Sequence, residues 1–418
     1  MLLSIHAHNV SALGEVTFEP AERVTLVTGE NGLGKTLLLD LAWFAATGGN
    51  TARAALTPRR PGDGAATIRY TASVADGVTS TVDERFDART WRWERDSTPW
   101  ATGLVVYAHA DGAFDVWDFM RTARHVSYDS PDVRRIEHRF ALTPGDVWDG
   151  LARDGRVLCN GLLRDWATWQ FQRPDVFARF ARALARLSEG LDESLLPGTP
   201  QRVSPDDARD IPTLRLPYGE VPVSLCSAGM RRVLALAYII VWTFDEHRAA
   251  AQLMGEKPLE DLVLLVDEVE AHLHPRWQRL LLPALLAVLD ELAPSVHAQV
   301  IATTHAPLVL ASIEPHFSPA RDRVLHLARA GAGVELTDLP WSPQGDAVNW
   351  LVSESFGLRQ ARSIEAEQAI EAAEAFMRGE PCPAPLDQRD AIHEALRAAL
   401  PDHDHFWPRW LVRSGAVA

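Results

Sequence analysis

The chain has 418 residues, 47% of them hydrophobic and 23% charged, with a formal net charge of −15 at pH 7. That length can bury a core shared by two or three sub-domains, and those proportions exclude both a disordered and a membrane-embedded chain. The acidic balance excludes attraction to nucleic acid by the overall field, so any such contact needs a local basic patch. The three cysteines, Cys159, Cys226 and Cys382, have neither disulfide-framework nor zinc-ligand spacing, which fits a reducing compartment.

Apolar and alternating runs predict strands over 2–8, 15–18 and 23–28, with no signal-peptide pattern ahead of them. The third run leads into Gly29-Glu30-Asn31-Gly32-Leu33-Gly34-Lys35-Thr36, the Walker A pattern of Gly, four residues and Gly-Lys-Thr. An apolar helix is predicted over 36–46. Strand, glycine loop and helix together turn free backbone N–H groups toward phosphate. Lys35 is one of two lysines, the other being Lys257, in a chain whose remaining strong bases are arginines. A compact ammonium kept here suits the β- and γ-phosphates. The expected ligand is therefore a nucleoside triphosphate, with Gly29, Asn31, Gly32, Gly34, Lys35 and Thr36 as its cradle.

A Gly/Pro-rich stretch over 48–64 precedes predicted strands at 66–74 and 79–86, joined near Asp76-Gly77 as a hairpin, and a buried strand at 104–108. These complete a first lobe, residues 1–110. Residues 111–220 read as a mostly helical insertion: Phe177, Phe180, Leu184 and Leu187 recur at helical spacing, and a proline-rich tail over 197–222 is expected to run extended on the surface. No long heptad run or Cys-x-x-Cys hook is present, which excludes a coiled-coil arm. A second lobe spans 221–340. A helical region over 341–418 follows, with Ile364, Ile370, Ala373 and Met377 on one face and a similar stripe over 387–400.

The second lobe carries three further motifs. Leu225-Cys226-Ser227-Ala228-Gly229 opens a long apolar helix, placing a hydroxyl and small residues at an N-terminus suited to an anion. Leu262-Val263-Leu264-Leu265-Val266-Asp267-Glu268 is a Walker B strand that delivers two carboxylates to its end, Asp267 for Mg²⁺ and Glu268 as the base that polarises water. A strand ending in Thr303-Thr304-His305-Ala306-Pro307 places a histidine beside them.

In this order the motifs resemble ABC-type ATPases of the SMC and RecF kind. Glu270-Ala271-His272-Leu273-His274-Pro275 and the Thr-Thr-His-Ala-Pro run are similar to the OLD-like, anti-phage-defence branch, and Phe406-Trp407-Pro408-Arg409-Trp410 resembles Septu-like ATPases. The resemblance implies an α/β P-loop fold, an ABC-type head binding ATP and Mg²⁺. It implies a homodimer in which Ser227 and Gly229 of one subunit close on the nucleotide of the other, with a higher oligomer left open. It further implies that His305 senses the γ-phosphate. The expected function is a cytoplasmic conformational switch regulating a separate effector, such as an HNH-type nuclease in anti-phage defence. The alternative is a repair or recombination ATPase acting on DNA. A transporter subunit and a non-hydrolysing sensor are weaker readings, and no membrane partner is expected.

One departure stands out: the first lobe has no glutamine for the expected Q-loop, the first being Gln170. Asp111, His109 and Gln170 are the candidate substitutes, Asp111 preferred, and slow or partner-dependent hydrolysis is one consequence. Other signals are weaker. Arg179, Arg182 and Arg186 form a solvated stripe or a nucleic-acid contact. His272 and His274 suggest nucleotide sensing more than metal. Asp402-His403-Asp404-His405 mimics paired nuclease acids. Trp91, Trp93 and Trp100 read as packing.

Overall fold

The computed structural model describes residues 1–60, 64–73, 78–95, 103–122, 139–292, 296–331, 333–382 and 384–415. The chain divides into two compact units, Met1–Asp346 and Ala347–Ala418. The first opens with β1 (Leu2–Val10), β2 (Leu13–Phe18), β3 (Val24–Gly29) and α1 (Lys35–Thr47). Next come β4 (Thr67–Ser73), β5 (Thr79–Asp87), β6 (Arg92–Arg95), β7 (Leu104–Ala108), β8 (Phe114–Asp118), α2 (Phe119–Thr122) and β9 (Arg139–Leu142). A middle segment holds α3 (Pro144–Asp149), β10 (Leu151–Arg153), β11 (Arg156–Cys159), α4 (Leu162–Gln172) and α5 (Pro174–Leu187). It ends in short strands: β12 (Leu196–Pro197), β13 (Gln201–Arg202), β14 (Asp210–Ile211), β15 (Thr213–Leu216) and β16 (Gly219–Pro222). The remainder is α6 (Ala228–Met254), β17 (Asp261–Val266), α7 (Pro275–Gln278), α8 (Leu281–Leu292), β18 (His297–Thr303), α9 (Pro307–Ile313), β19 (Asp322–Ala330) and β20 (Gly333–Leu339).

An eight-stranded sheet of order β20-β19-β3-β18-β17-β7-β8-β9 forms the centre. From β19 to β7 neighbouring strands are parallel, and β20, β8 and β9 pair antiparallel at the flanks. Strands buried on both faces read as continuous apolar runs, as β7 does with all five residues buried. A second, antiparallel sheet has the order β2-β1-β4-β5-β6. α1 fills the space between the sheets and is buried from Leu38 through Thr47; its apolar surface runs all round because it meets core on every side. Gln299 of β18 staples β1 down: its Oε1 accepts from the Leu2 N–H at 2.9 Å, and its Nε2 donates to the Leu2 and Ala21 carbonyls at 2.8 Å each.

The 111–220 segment differs from the expected insertion at its start. β8 and β9 extend the main sheet, because β8 hairpins directly back on β7. The proline-rich tail does not run extended; it folds into hairpins, β12-β15-β16 and β13-β14. α5 packs with Val176, Phe180, Ala183, Leu184 and Leu187 buried, close to the predicted stripe. The Asp76–Gly77 turn and Trp100 lie outside the described residues.

The second unit holds α10 (Ala347–Leu351), α11 (Ile364–Arg378), α12 (Arg389–Ala399) and α13 (Phe406–Arg413). Its own core gathers Ile370, Ala373, Ile392, Leu396, Phe406 and Trp410. Ile364, expected on the buried face, is 71% exposed: it is the first residue of α11, where the turn that would cover it does not exist. No described helix is long and apolar enough to cross a membrane. The whole is an α/β fold in which a glycine loop joins β3 of the central sheet to α1, with a largely helical middle segment and a helical C-terminal unit.

Candidate functional site

The glycine loop leaves β3 in the middle of the sheet and enters α1 through Gly34. Gly29 has φ of +138°, and a Cβ there would stand 2.3 Å from the Leu327 carbonyl, so only glycine lets β3 lie this close to β19. α1 has no acidic residue of its own in the first turn, so the positive end of its dipole is left to groups from outside the helix. Lys35 is buried, its Nζ donating to the Gly29 carbonyl at 2.8 Å and the Glu30 carbonyl at 3.0 Å. Burial pulls its pKa down, against the attraction of Glu268, Glu270 and Asp267. Asn31, Gly32 and Thr36 line the open side of the loop, all three exposed.

Strand order brings the acids to this loop. β18 lies between β3 and β17, and the three strands end together. Thr36 Oγ1 donates to Asp267 Oδ2 at 3.0 Å, and Thr303 Oγ1 to Asp267 Oδ1 at 2.7 Å. The same Thr303 hydroxyl accepts from the Glu268 N–H at 2.8 Å. Glu268 has φ of +47°, a conformation costly for a side-chain-bearing residue and held here by that bond and by Val269, whose N–H reaches the Thr303 carbonyl.

Arg232, on the second turn of α6, reaches under this site. Its Nη1 donates to the His109 and Ala110 carbonyls at 3.0 and 2.9 Å, and its Nη2 to those of Asp267 and Glu268 at 3.0 and 3.1 Å. One planar guanidinium thus joins the ends of β7 and β17 to α6, which a lysine could not do. Burial pushes its pKa down, opposed by Asp267, Glu270, Glu268 and Asp111. No motif marks this residue, since nothing in Met230-Arg231-Arg232 says which arginine turns inward.

His305 follows β18 and meets Glu270, whose side chain is buried. Both face a cavity of about 600 Å³ whose lining includes Glu268, Asp111, His272 and Gln278. Of the Q-loop substitutes, Asp111 is on this wall. Burial raises its pKa, but the Ala113 N–H and the Arg53 guanidinium outweigh that and bring it below the ordinary value. His109 turns instead to buried Asp115 at 2.9 Å, and Gln170 donates to the Gly198 carbonyl within the hairpin region. Ser227 caps α6, its Oγ accepting from the Met230 N–H at 3.3 Å. With Gly229 it lines a second cavity of about 610 Å³, shared with Asp192, His272, His274 and Arg276. A Cβ on Gly229 would come within 3.0 Å of the His272 carbonyl, so the start of α6 rests directly on the loop after β17.

The remaining signals resolve into structure. Of the three arginines of the α5 stripe, Arg179 pairs with Asp245, which also binds Arg173 ahead of the helix, and Arg186 pairs with Glu189 and Glu291. Asp404 pairs with Arg362 and accepts from the Phe406 N–H at the start of α13. Trp93 is buried against Phe44 and Phe86, while Trp91 is exposed. Among the described residues, no group of three or more His, Cys, Asp or Glu could hold a metal ion.

The family model described as "AAA domain, putative AbiEii toxin, Type IV TA system" matches residues 112–311, a little under half of the chain. That span includes Ser227, Asp267, Glu268 and His305 and stops short of the glycine loop. Among solved structures, the chain is similar to the SMC head domain from Thermotoga maritima, at 17% identity and a TM-score of 0.41, over 81% of this chain and 99% of that one. It is similar to an SMC head bound to the C-terminal winged-helix domain of ScpA, at 15% identity and a TM-score of 0.45, over 81% and 97%. It is also similar to the recombination mediator RecF with an ATP analogue, at 14% identity and a TM-score of 0.38, over 81% and 98%.

Proposed function

We propose that this chain is an ABC-type ATPase of the SMC and RecF kind, a dimerising switch that binds and hydrolyses ATP. The observation that carries the reading is the convergence of Lys35, Thr36, Asp267, Glu268 and His305 at the ends of three neighbouring strands, with Asp267 held from both sides by threonine hydroxyls. Lys35 and the first-turn N–H groups of α1 bind the phosphates, Glu268 orients and deprotonates water, and His305 reads the terminal phosphate. Mg²⁺ fits the donor set: Thr36 Oγ1 and Asp267 Oδ2, 3.0 Å apart, offer two hard oxygens, and such an ion takes its other ligands from phosphate and water. When bound it supplies charge neutralisation at the phosphates. Ser227 and Gly229 line a cavity apart from the glycine loop, which supports their acting on the nucleotide of a second copy.

The output is a separate effector, a nuclease in anti-phage defence; the matched family's description, a toxin of a toxin–antitoxin system, is in keeping with a chain that acts within a multi-protein system. Direct action on DNA is the second reading, but two of the three α5 arginines that would favour it, Arg179 and Arg186, are paired with acids. The test is nucleotide binding and turnover with Mg²⁺ for the wild type, Lys35→Ala and Glu268→Gln. Glu268→Gln should keep ATP, dimerise with it and lose turnover by roughly a hundredfold or more, while Lys35→Ala should lose binding. A wild-type chain that binds no ATP sinks the proposal. Proteins or DNA retained by the ATP-bound Glu268→Gln dimer then decide between effector and nucleic acid.

A further inference from the structure

Two acids on the wall of the Glu268 cavity, Asp111 and Glu270, have no part in the proposed chemistry, and Glu270 is the buried one. It is 5% exposed, and a carboxylate that deep in the protein is costly unless its oxygens are satisfied. Its oxygens are met by the Thr304–His305 pair. Oε2 accepts from Thr304 Oγ1 at 2.7 Å, Oε1 accepts from the His305 N–H at 2.6 Å, and the His305 ring Nδ1 stands 2.8 Å from that same Oε1. A carboxylate has no proton to give, so a ring nitrogen at this distance must carry its own. That places a proton on Nδ1 and leaves Nε2 as the nitrogen available to the cavity, on a ring whose side chain is 45% exposed. A glutamine here would present both an amide N–H and a carbonyl, and would no longer dictate which nitrogen is protonated.

We infer that Glu270 is a positioning residue for His305: it holds the ring by its Nδ1–H and turns Nε2 to the terminal phosphate, to which Nε2 donates when the ring is the imidazolium with a proton on both nitrogens, so that the site distinguishes a nucleoside triphosphate from a diphosphate. The inference deepens the ATPase reading and rests on it. Glu270 touches no phosphate itself; it acts through His305, as an outer carboxylate orients a histidine that binds a metal.

The experiment measures binding of a non-hydrolysable ATP analogue and of ADP to the full chain, for wild type, Glu270→Gln, His305→Ala and the double variant. The wild type should prefer the triphosphate. Each single variant should cut that preference about tenfold, the order of one hydrogen bond to a charged group, with ADP affinity unchanged. The double variant should lose no more, because both changes remove one interaction. Equal loss of both nucleotides, additive losses, or a wild type without preference overturns the inference. Nitrogen-15 spectra of the wild-type imidazoles, with His305 assigned by its alanine variant, give a second measurement that needs no Glu270 variant to fold. A protonated Nδ1 supports the hold, and an Nε2–H tautomer with bare Nδ1 overturns it. A wild type that binds neither nucleotide defeats the ATPase reading, while the spectra still decide whether Glu270 sets the ring.

Discussion

Asp40 lies one turn beyond Thr36 on α1, 7% exposed, and its carboxyl is pushed up to about 7. Burial is the first cause; the negative charge of Asp267 and then of Asp115 adds to it, while the Tyr107 hydroxyl works in the opposite direction. An acid whose folded pKa exceeds its unfolded value holds its proton longer when folded, so stability falls as pH rises from about 4 to 7 and then levels off. Asp40→Asn removes the ionisation and keeps the shape. Its stabilising effect should be small near pH 4, grow through that window and reach the order of 4 kcal/mol at pH 8, at about 1.4 kcal/mol per pH unit. Urea unfolding at pH 4.5 and 8 measures it, and an effect independent of pH would show that Asp40 titrates normally. Residues such as Lys35, Asp267 and His305 were legible in the sequence because each ends a strand or opens a helix at a fixed motif position. Asp40, Arg232 and Glu270 were not, because their meaning lies in what surrounds them: a sheet on each side of α1, four carbonyls from two strands, and a histidine 35 residues further on.

At the scale of elements, α6 is where one side chain organises two strands. Its N-terminus carries Ser227 and Gly229, its second turn carries Arg232, and its middle holds Tyr238, whose hydroxyl donates to buried Asp165 of α4 at 2.8 Å. Replacing Arg232 with methionine keeps most of the length and leaves four strand-end carbonyls without their donor. With hydrogen bonds to a charged group near 1.5–3 kcal/mol each and partial rescue by water, a loss of about 3 kcal/mol is expected. Arg232→Lys should recover only part of it, since an ammonium lacks the planar fork. Chemical denaturation checks both, and a lysine variant as stable as the wild type would remove the case for the fork. The parallel strands were readable from unbroken apolar runs. The hairpins over 196–222 were not: strands of two to four residues are too short to show a period, and their pairing depends on partners such as Leu196 with Arg215. β8 was hidden for a related reason, since Phe114-Asp115-Val116-Trp117-Asp118 puts acids into a buried strand, where Asp115 meets His109 and Asp118 meets His247 at 2.8 Å.

On the scale of the molecule, each of the two units has a core of its own, and that separation has a thermodynamic consequence. The first unit joins both sheets through α1, with Trp43 and Phe44 inside a cluster running from Leu2 to Leu327. The second is far smaller, and α11 contributes mainly alanines to it, so its large side chains carry most of the burial. A small core of this kind is marginal, because the buried fraction of a chain falls with its length. Trp410 is fully buried, donates from Nε1 to His393 Nδ1 at 3.1 Å and lies edge-on to Phe376 with ring centroids 5.9 Å apart. Truncating such a residue costs about 3–5 kcal/mol, comparable to the whole stability of a domain this size. Trp410→Ala should therefore unfold Ala347–Ala418 at ordinary temperature and leave the sheets of the first unit intact. Calorimetry of the full chain reads this as loss or displacement of one transition while the other keeps its midpoint, since units with separate cores need not melt together. If instead both transitions move together, or only one exists in the wild type, the two units fold as one cooperative body.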